Sequence, residues 1–106
     1  MKKINLAVTG CLGRMGQQII KSAKKDKIFK ITTVTENKLI RKKIDGIQVN
    51  LNTEEAFKKA NLIIDFTIPR CTFQILKIAS KLKKKVVIGT TGFSKKEENL
   101  IKKLII

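Results

Sequence analysis

Residues 10–16 read Gly-Cys-Leu-Gly-Arg-Met-Gly, with glycines three apart, and they stand between an apolar run and an amphipathic stretch. The run before them, INLAVT at 4–9, is apolar and β-branched and stops at Gly10, which marks a buried strand entering a turn. After the glycines, Met15, Ile19 and Ala23 recur at helical spacing while Lys21, Lys24 and Lys25 lie mostly off that stripe, so an amphipathic helix follows. Residues 30–36 (KITTVTE) read as a second strand, parallel to the first because a helix separates them. A βαβ unit with a glycine turn at its first strand end leaves few folds open.

The alternation continues. Residues 37–52 are less regular, with Asp45-Gly46 as a turn signal and 47–51 as a short strand. Thr53 caps a short helix that begins with Glu54, Glu55 and Ala56, placing carboxylates at its positive end. LIIDF at 62–66 is a buried strand, Pro69 suits the first turn of the next helix, and Leu76, Ala79 and Leu82 give that helix its apolar face. Residues 86–88 form another strand stopped by Gly89, and Ser94 with Glu97 has capping-box spacing for a last helix. The pattern predicts an α/β fold, a parallel sheet with helices on both faces, in which ligands collect at the carboxyl ends of the strands.

Composition narrows the function. At 106 residues one domain is expected, spanning 1–106. With no histidine, imidazole catalysis and histidine metal sites are excluded within these residues, and Cys11 and Cys71 lack the spacing of a zinc site or redox pair. No catalytic or metal-binding residue is assigned. No apolar run reaches the roughly 20 residues that span a bilayer, and the start is too briefly apolar for a signal peptide, so a cytoplasmic protein is expected. The formal charge is +16, but 21 of the 24 basic residues are Lys and only Arg14, Arg41 and Arg70 are Arg. Phosphate and base forks favour Arg, so the charge reads as compositional drift giving non-specific attraction rather than a specific nucleic-acid site.

The glycine segment carries the chemistry. Glycine permits the tight turn and close backbone approach, the helix start aims N–H groups at a pyrophosphate, and Gly16 lets helix and strand pack closely. Twenty residues beyond Gly16, Glu36 ends the second strand where a dinucleotide's adenosine ribose presents its hydroxyls. The bland alternative is a glycine turn with a solvated glutamate after it. Cys11 at a helix start could be an activated thiol, but no partner base is in view, and a small residue in a glycine loop is the better reading.

Three segments, VTGCLGRMG, DFTIP (65–69) and VIGTTGF (87–93), in this order and spacing, closely resemble the amino-terminal half of the 4-hydroxy-tetrahydrodipicolinate reductases, the NAD(P)H enzymes of diaminopimelate and lysine biosynthesis. The resemblance covers essentially the whole chain and implies a Rossmann-like domain. It implies that Gly10, Cys11, Leu12, Gly13, Arg14 and Met15 hold the cofactor pyrophosphate and that Glu36 takes the ribose. It places Gly89, Thr90 and Thr91 at the nicotinamide end, with Thr67 lining the same end of the cleft. For Thr67 the alternative is a cap on the helix after Pro69; for Asp65, a turn former; Phe66 and Phe93 read as core.

The sequence departs from the family in two ways. Relatives commonly follow the ribose acid with arginine, which meets the 2′-phosphate of NADPH; here Asn37 follows, with Lys38 beside it, so the cofactor is NADH or NADPH. The family's second domain, with its His-His-x-x-Lys region and the Ser-Gly-Thr segment that grips the dicarboxylate substrate, is absent from these residues. The chain is therefore expected to bind cofactor without turnover, and not to form the family's homotetramer. Rival readings are a nucleotide-sensing module of the same fold and a basic nucleic-acid binder, the latter disfavoured by the absence of Tyr and Trp.

Overall fold

The computed structural model describes residues 3–89, so the expected helix after Ser94, and Thr90, Thr91 and Phe93, lie outside the described residues. The βαβ start is β1 (Ile4–Thr9), α1 (Arg14–Lys25) and β2 (Phe29–Glu36), with β2 parallel to β1. Then come β3 (Lys43–Ile44), β4 (Ile47–Leu51), α2 (Glu54–Phe57), β5 (Leu62–Asp65), α3 (Pro69–Leu82) and β6 (Lys85–Ile88). The sheet order is β3-β4-β2-β1-β5-β6, parallel throughout except for β3.

Alternation along β1 divides the core between two faces. Leu6 and Val8 pack with Ile20 and Ala23 of α1, with Val34 of β2 and with Val49 of β4. Ala7 points the other way, against Phe57, Ala60, Ile63, Ile75 and Ala79 from the α2 and α3 side. Helices thus cover both faces, as the sequence predicts.

Local chemistry explains the element ends. Thr53 Oγ1 accepts from the Ala56 N–H at 3.1 Å, capping α2, and Pro69 opens α3. Asp45 and Gly46 both have positive φ (51° and 80°), so the turn joins β3 to β4 as a tight hairpin. Two details differ from the sequence reading. Strand β3 is additional, and the buried face of α1 is Gly16, Ile20 and Ala23, with Met15 half exposed at 50%. The helix is rotated because Gly16, not Met15, meets the loop before it.

Candidate dinucleotide-binding site

The first half of the site lies at the carboxyl ends of β1 and β2. Gly10 turns the chain with φ 61°, and the Gly13 N–H donates to the Gly10 carbonyl at 3.0 Å. Gly13 is then the N-cap of α1 with no side chain capping it and no acid in the first turn. At Gly16 a Cβ would lie 2.1 Å from the Gly10 carbonyl oxygen, so the helix start rests directly on the loop backbone. Only glycine allows that approach.

Cys11 and Leu12 tie this loop to β2. The Cys11 N–H donates to the Thr35 carbonyl at 3.2 Å, and its thiol is fully buried in the α1-side core. Burial first, and then the negative charge of Glu36, push the thiol up to about 11, against smaller opposing contributions from its own backbone bond and from Lys42. A thiol so protonated is no nucleophile at neutral pH, in line with the sequence preference. The Leu12 N–H donates to Glu36 Oε2 at 2.7 Å, so the acid predicted for the ribose and the loop predicted for the pyrophosphate are in contact. Arg14 and Met15 are exposed beside them.

The second half, at the ends of β5 and β6, centres on Asp65, whose carboxylate is wholly buried. Its Oδ1 accepts from Thr9 Oγ1 at 2.8 Å, from the Thr67 N–H at 3.1 Å and from the Thr67 hydroxyl at 2.5 Å, and Oδ2 accepts from Thr72. Asp65 thereby joins the end of β1, its own loop and the first turn of α3. Sequence reasoning missed this role; the signal was the threonine at 9, 67 and 72, all near strand or helix ends. Thr67 does not cap α3, whose N-cap is Ile68 with no side-chain bond. Instead it approaches the glycine loop, where a Cβ on Gly10 would meet Thr67 Cγ2 at 3.1 Å. The Gly89 N–H donates to the Asp65 carbonyl at 2.7 Å, and a Cβ on Gly89 would fall into the Phe66 ring, 1.8 Å from its nearest atom.

Gly10, Leu12, Gly13, Glu36 and Thr67 therefore converge on one end of the sheet, with Gly89 at the end of β6 on the same side. The set suits a dinucleotide on a structural ground: the start of α1, with no side chain capping it, faces the strand ends, and Gly16 seats that start directly on the backbone of the glycine loop.

Comparison with known proteins identifies the family and the fold. The model of the family "Dihydrodipicolinate reductase, N-terminus" matches residues 4–105. The 4-hydroxy-tetrahydrodipicolinate reductase of Pelagibacter ubique (strain HTCC1062) is 71% identical over 103 residues, covering 97% of this chain and 40% of that protein. The enzyme of the same name from Buchnera aphidicola subsp. Acyrthosiphon pisum (strain Tuc7) is 40% identical over 112 residues, covering 95% and 42%. Among solved structures, the dipicolinate-bound dihydrodipicolinate reductase from Paenisporosarcina sp. TG-14 superposes with a TM-score of 0.77 at 22% identity, over 96% of this chain and 43% of that one, and so attests the fold. The chain spans about two-fifths of the length of the curated relatives it matches. It belongs to the family of dihydrodipicolinate reductase amino-terminal domains.

Proposed function

We propose that this chain is the NAD(P)H-binding half of a 4-hydroxy-tetrahydrodipicolinate reductase acting in diaminopimelate and lysine biosynthesis. The observation that carries the reading is the Leu12–Glu36 hydrogen bond, which brings a ribose-binding acid against a glycine loop at the start of α1. When bound, the cofactor supplies hydride from the nicotinamide C4 to the unsaturated dicarboxylate ring.

The residues of this chain bind and orient. The first-turn N–H groups of α1 and the exposed Arg14 offer donors and positive charge to a pyrophosphate, with Gly10, Gly13 and Gly16 keeping the backbone close. Cys11 shapes the loop from inside and contributes backbone alone, while Met15 offers an exposed apolar edge. Glu36 accepts from the ribose hydroxyls, for which a carboxylate has lone pairs beyond the one that meets Leu12. Thr67, held by Asp65, and Gly89 with Thr90 and Thr91 orient the nicotinamide end. The 106 residues contain no histidine, so no imidazole among them serves as proton donor to the substrate, and their part is to bind and orient the cofactor.

The test is calorimetric titration of the folded chain with NADH. Saturable binding is expected, lost in Gly13→Glu, whose side chain would occupy the phosphate approach. Absence of heat at about millimolar NADH, far above usual cofactor affinities, refutes the reading.

A further inference from the structure

Glu36 leaves the adenosine end of the site with a negative charge, which favours a free ribose diol and opposes a 2′-phosphate. The sequence offers no arginine directly after it, and Lys38, two residues on, lies exposed in the loop that follows β2. The hairpin after that loop brings a different cation back. Strand β3 pairs with β4 antiparallel, Lys43 opposite Gln48 and Ile44 opposite Ile47, and the pairing extends one step further because the Val49 N–H donates to the Lys42 carbonyl at 2.9 Å. Lys42 therefore stands opposite Val49.

Residues opposite one another in an antiparallel pair project to the same face. Val49 is buried in the α1-side core with Val34 and Cys11, and Val34, its register partner on β2, lies two residues before Glu36. Lys42, Val49, Val34 and Glu36 thus occupy one face of the sheet. That face carries the glycine loop.

The position of Lys42 is fixed although its side chain is exposed. Its N–H donates to Ile40 at 3.0 Å, and its carbonyl also accepts from Gln48 Nε2 at 3.1 Å. Its charge reaches the loop: it acts on the Cys11 thiol in the direction opposite to Glu36. Among the described residues Lys42 belongs to no salt bridge, whereas Lys24, Lys58 and Lys81 do.

We infer that Lys42 is the cofactor-specificity residue that meets the 2′-phosphate of NADPH, offsetting Glu36 and letting one site accept both NADH and NADPH. The inference rests on the nucleotide-binding reading above. An ammonium on a flexible stem suits this dual use, since it can swing toward a phosphate when one is present and stay in water when none is. Salt should therefore weaken NADPH binding more steeply than NADH binding.

The experiment is calorimetric titration of the chain with NADPH and, separately, with NADH, for wild type and for Lys42→Met, Lys42→Arg and Lys38→Met. Lys42→Met should lower the affinity for NADPH relative to NADH by about tenfold, the scale of one charge pair near a protein surface. Lys42→Arg should retain the wild-type ratio, and Lys38→Met should leave it within about twofold. A ratio unchanged in Lys42→Met, or one that moves in Lys38→Met instead, overturns the assignment while NADH binding by the wild type stands. Failure of the folded wild type to bind either nucleotide refutes the underlying reading itself.

Discussion

Gly16→Ala tests whether the start of α1 is seated on the glycine loop by backbone contact. A Cβ at position 16 would lie 2.1 Å from the Gly10 carbonyl oxygen and 2.8 Å from both the Gly10 carbonyl carbon and Cys11 Cα. These are backbone atoms and cannot rotate away. Reaching the 3.0 Å below which real Cβ contacts essentially never fall requires helix and loop to part by about 0.9 Å, the difference from 2.1 Å. Overpacking costs about 1–3 kcal/mol, and a rigid neighbour puts this case at the upper end. Alanine returns up to about 1 kcal/mol through its helix propensity. The net loss is about 2 kcal/mol, or roughly 8–16 °C in Tm for a chain of this size. Gly13→Ala is the control, because its Cβ meets only the Gly10 oxygen at 3.4 Å and its backbone, φ −75° and ψ 170°, suits any residue. It should cost less than about 1 kcal/mol, the scale of a poorer N-cap. Thermal unfolding followed by circular dichroism reads both. Gly16→Ala as stable as wild type, or Gly13→Ala equally damaged, refutes the seating argument.

Asp65→Ala removes the acceptor shared by three hydroxyls and one N–H in a buried place, and a loss of about 3 kcal/mol or more in urea unfolding is expected, with Asp65→Asn intermediate. A loss below about 1 kcal/mol would mean that this network does not hold the strand ends together. Cys11 ionises near 9.0 in an unfolded chain but about 11 when folded, so the folded state keeps its proton longer. Its effect on stability is flat below about pH 9 and falls from there to about pH 11, by up to about 1.4 kcal/mol per pH unit. Urea midpoints of Cys11→Ala should lack that part of the decline; parallel curves for variant and wild type count against it. Glu36→Ala should weaken NADH by roughly 10–100-fold through lost charged hydrogen bonds, and NADPH by less, because the repulsion of the 2′-phosphate goes with it. Equal losses in calorimetry reject the ribose role.

Beyond the alternation that gave the parallel sheet and the placing of Glu36 by the glycine loop, what could be read from the sequence was local. The Asp45-Gly46 turn, the Thr53 cap and Pro69 at the start of α3 each act within a few residues, and each falls where the sequence predicts. Spacing alone could not choose between the stripe Met15, Ile19, Ala23 and the stripe Gly16, Ile20, Ala23, since both are helical; contact with the loop decides it, at the one residue lacking a side chain. Strand β3 is two residues long, too short to show a period, and exists through its pairing with β4. Asp65 was least legible. An acid after an apolar run reads as a turn former, and the bond from the Thr67 N–H makes it one, but its further partners are not local, and one of them, Thr9, lies 56 residues away. That distance has a consequence for the site. Thr9 immediately precedes Gly10, and Thr67, bound to the same carboxylate, touches the space at Gly10, so the loop after β5 is coupled to the turn after β1 through Asp65. The glycine motif supplies a backbone able to approach a pyrophosphate, but its position against the loop after β5 is set by Asp65 and Thr67, far from it in sequence, acting through Thr9 at its edge. A substitution at Asp65 should therefore disturb both ends of the site together, which no inspection of either motif alone would indicate.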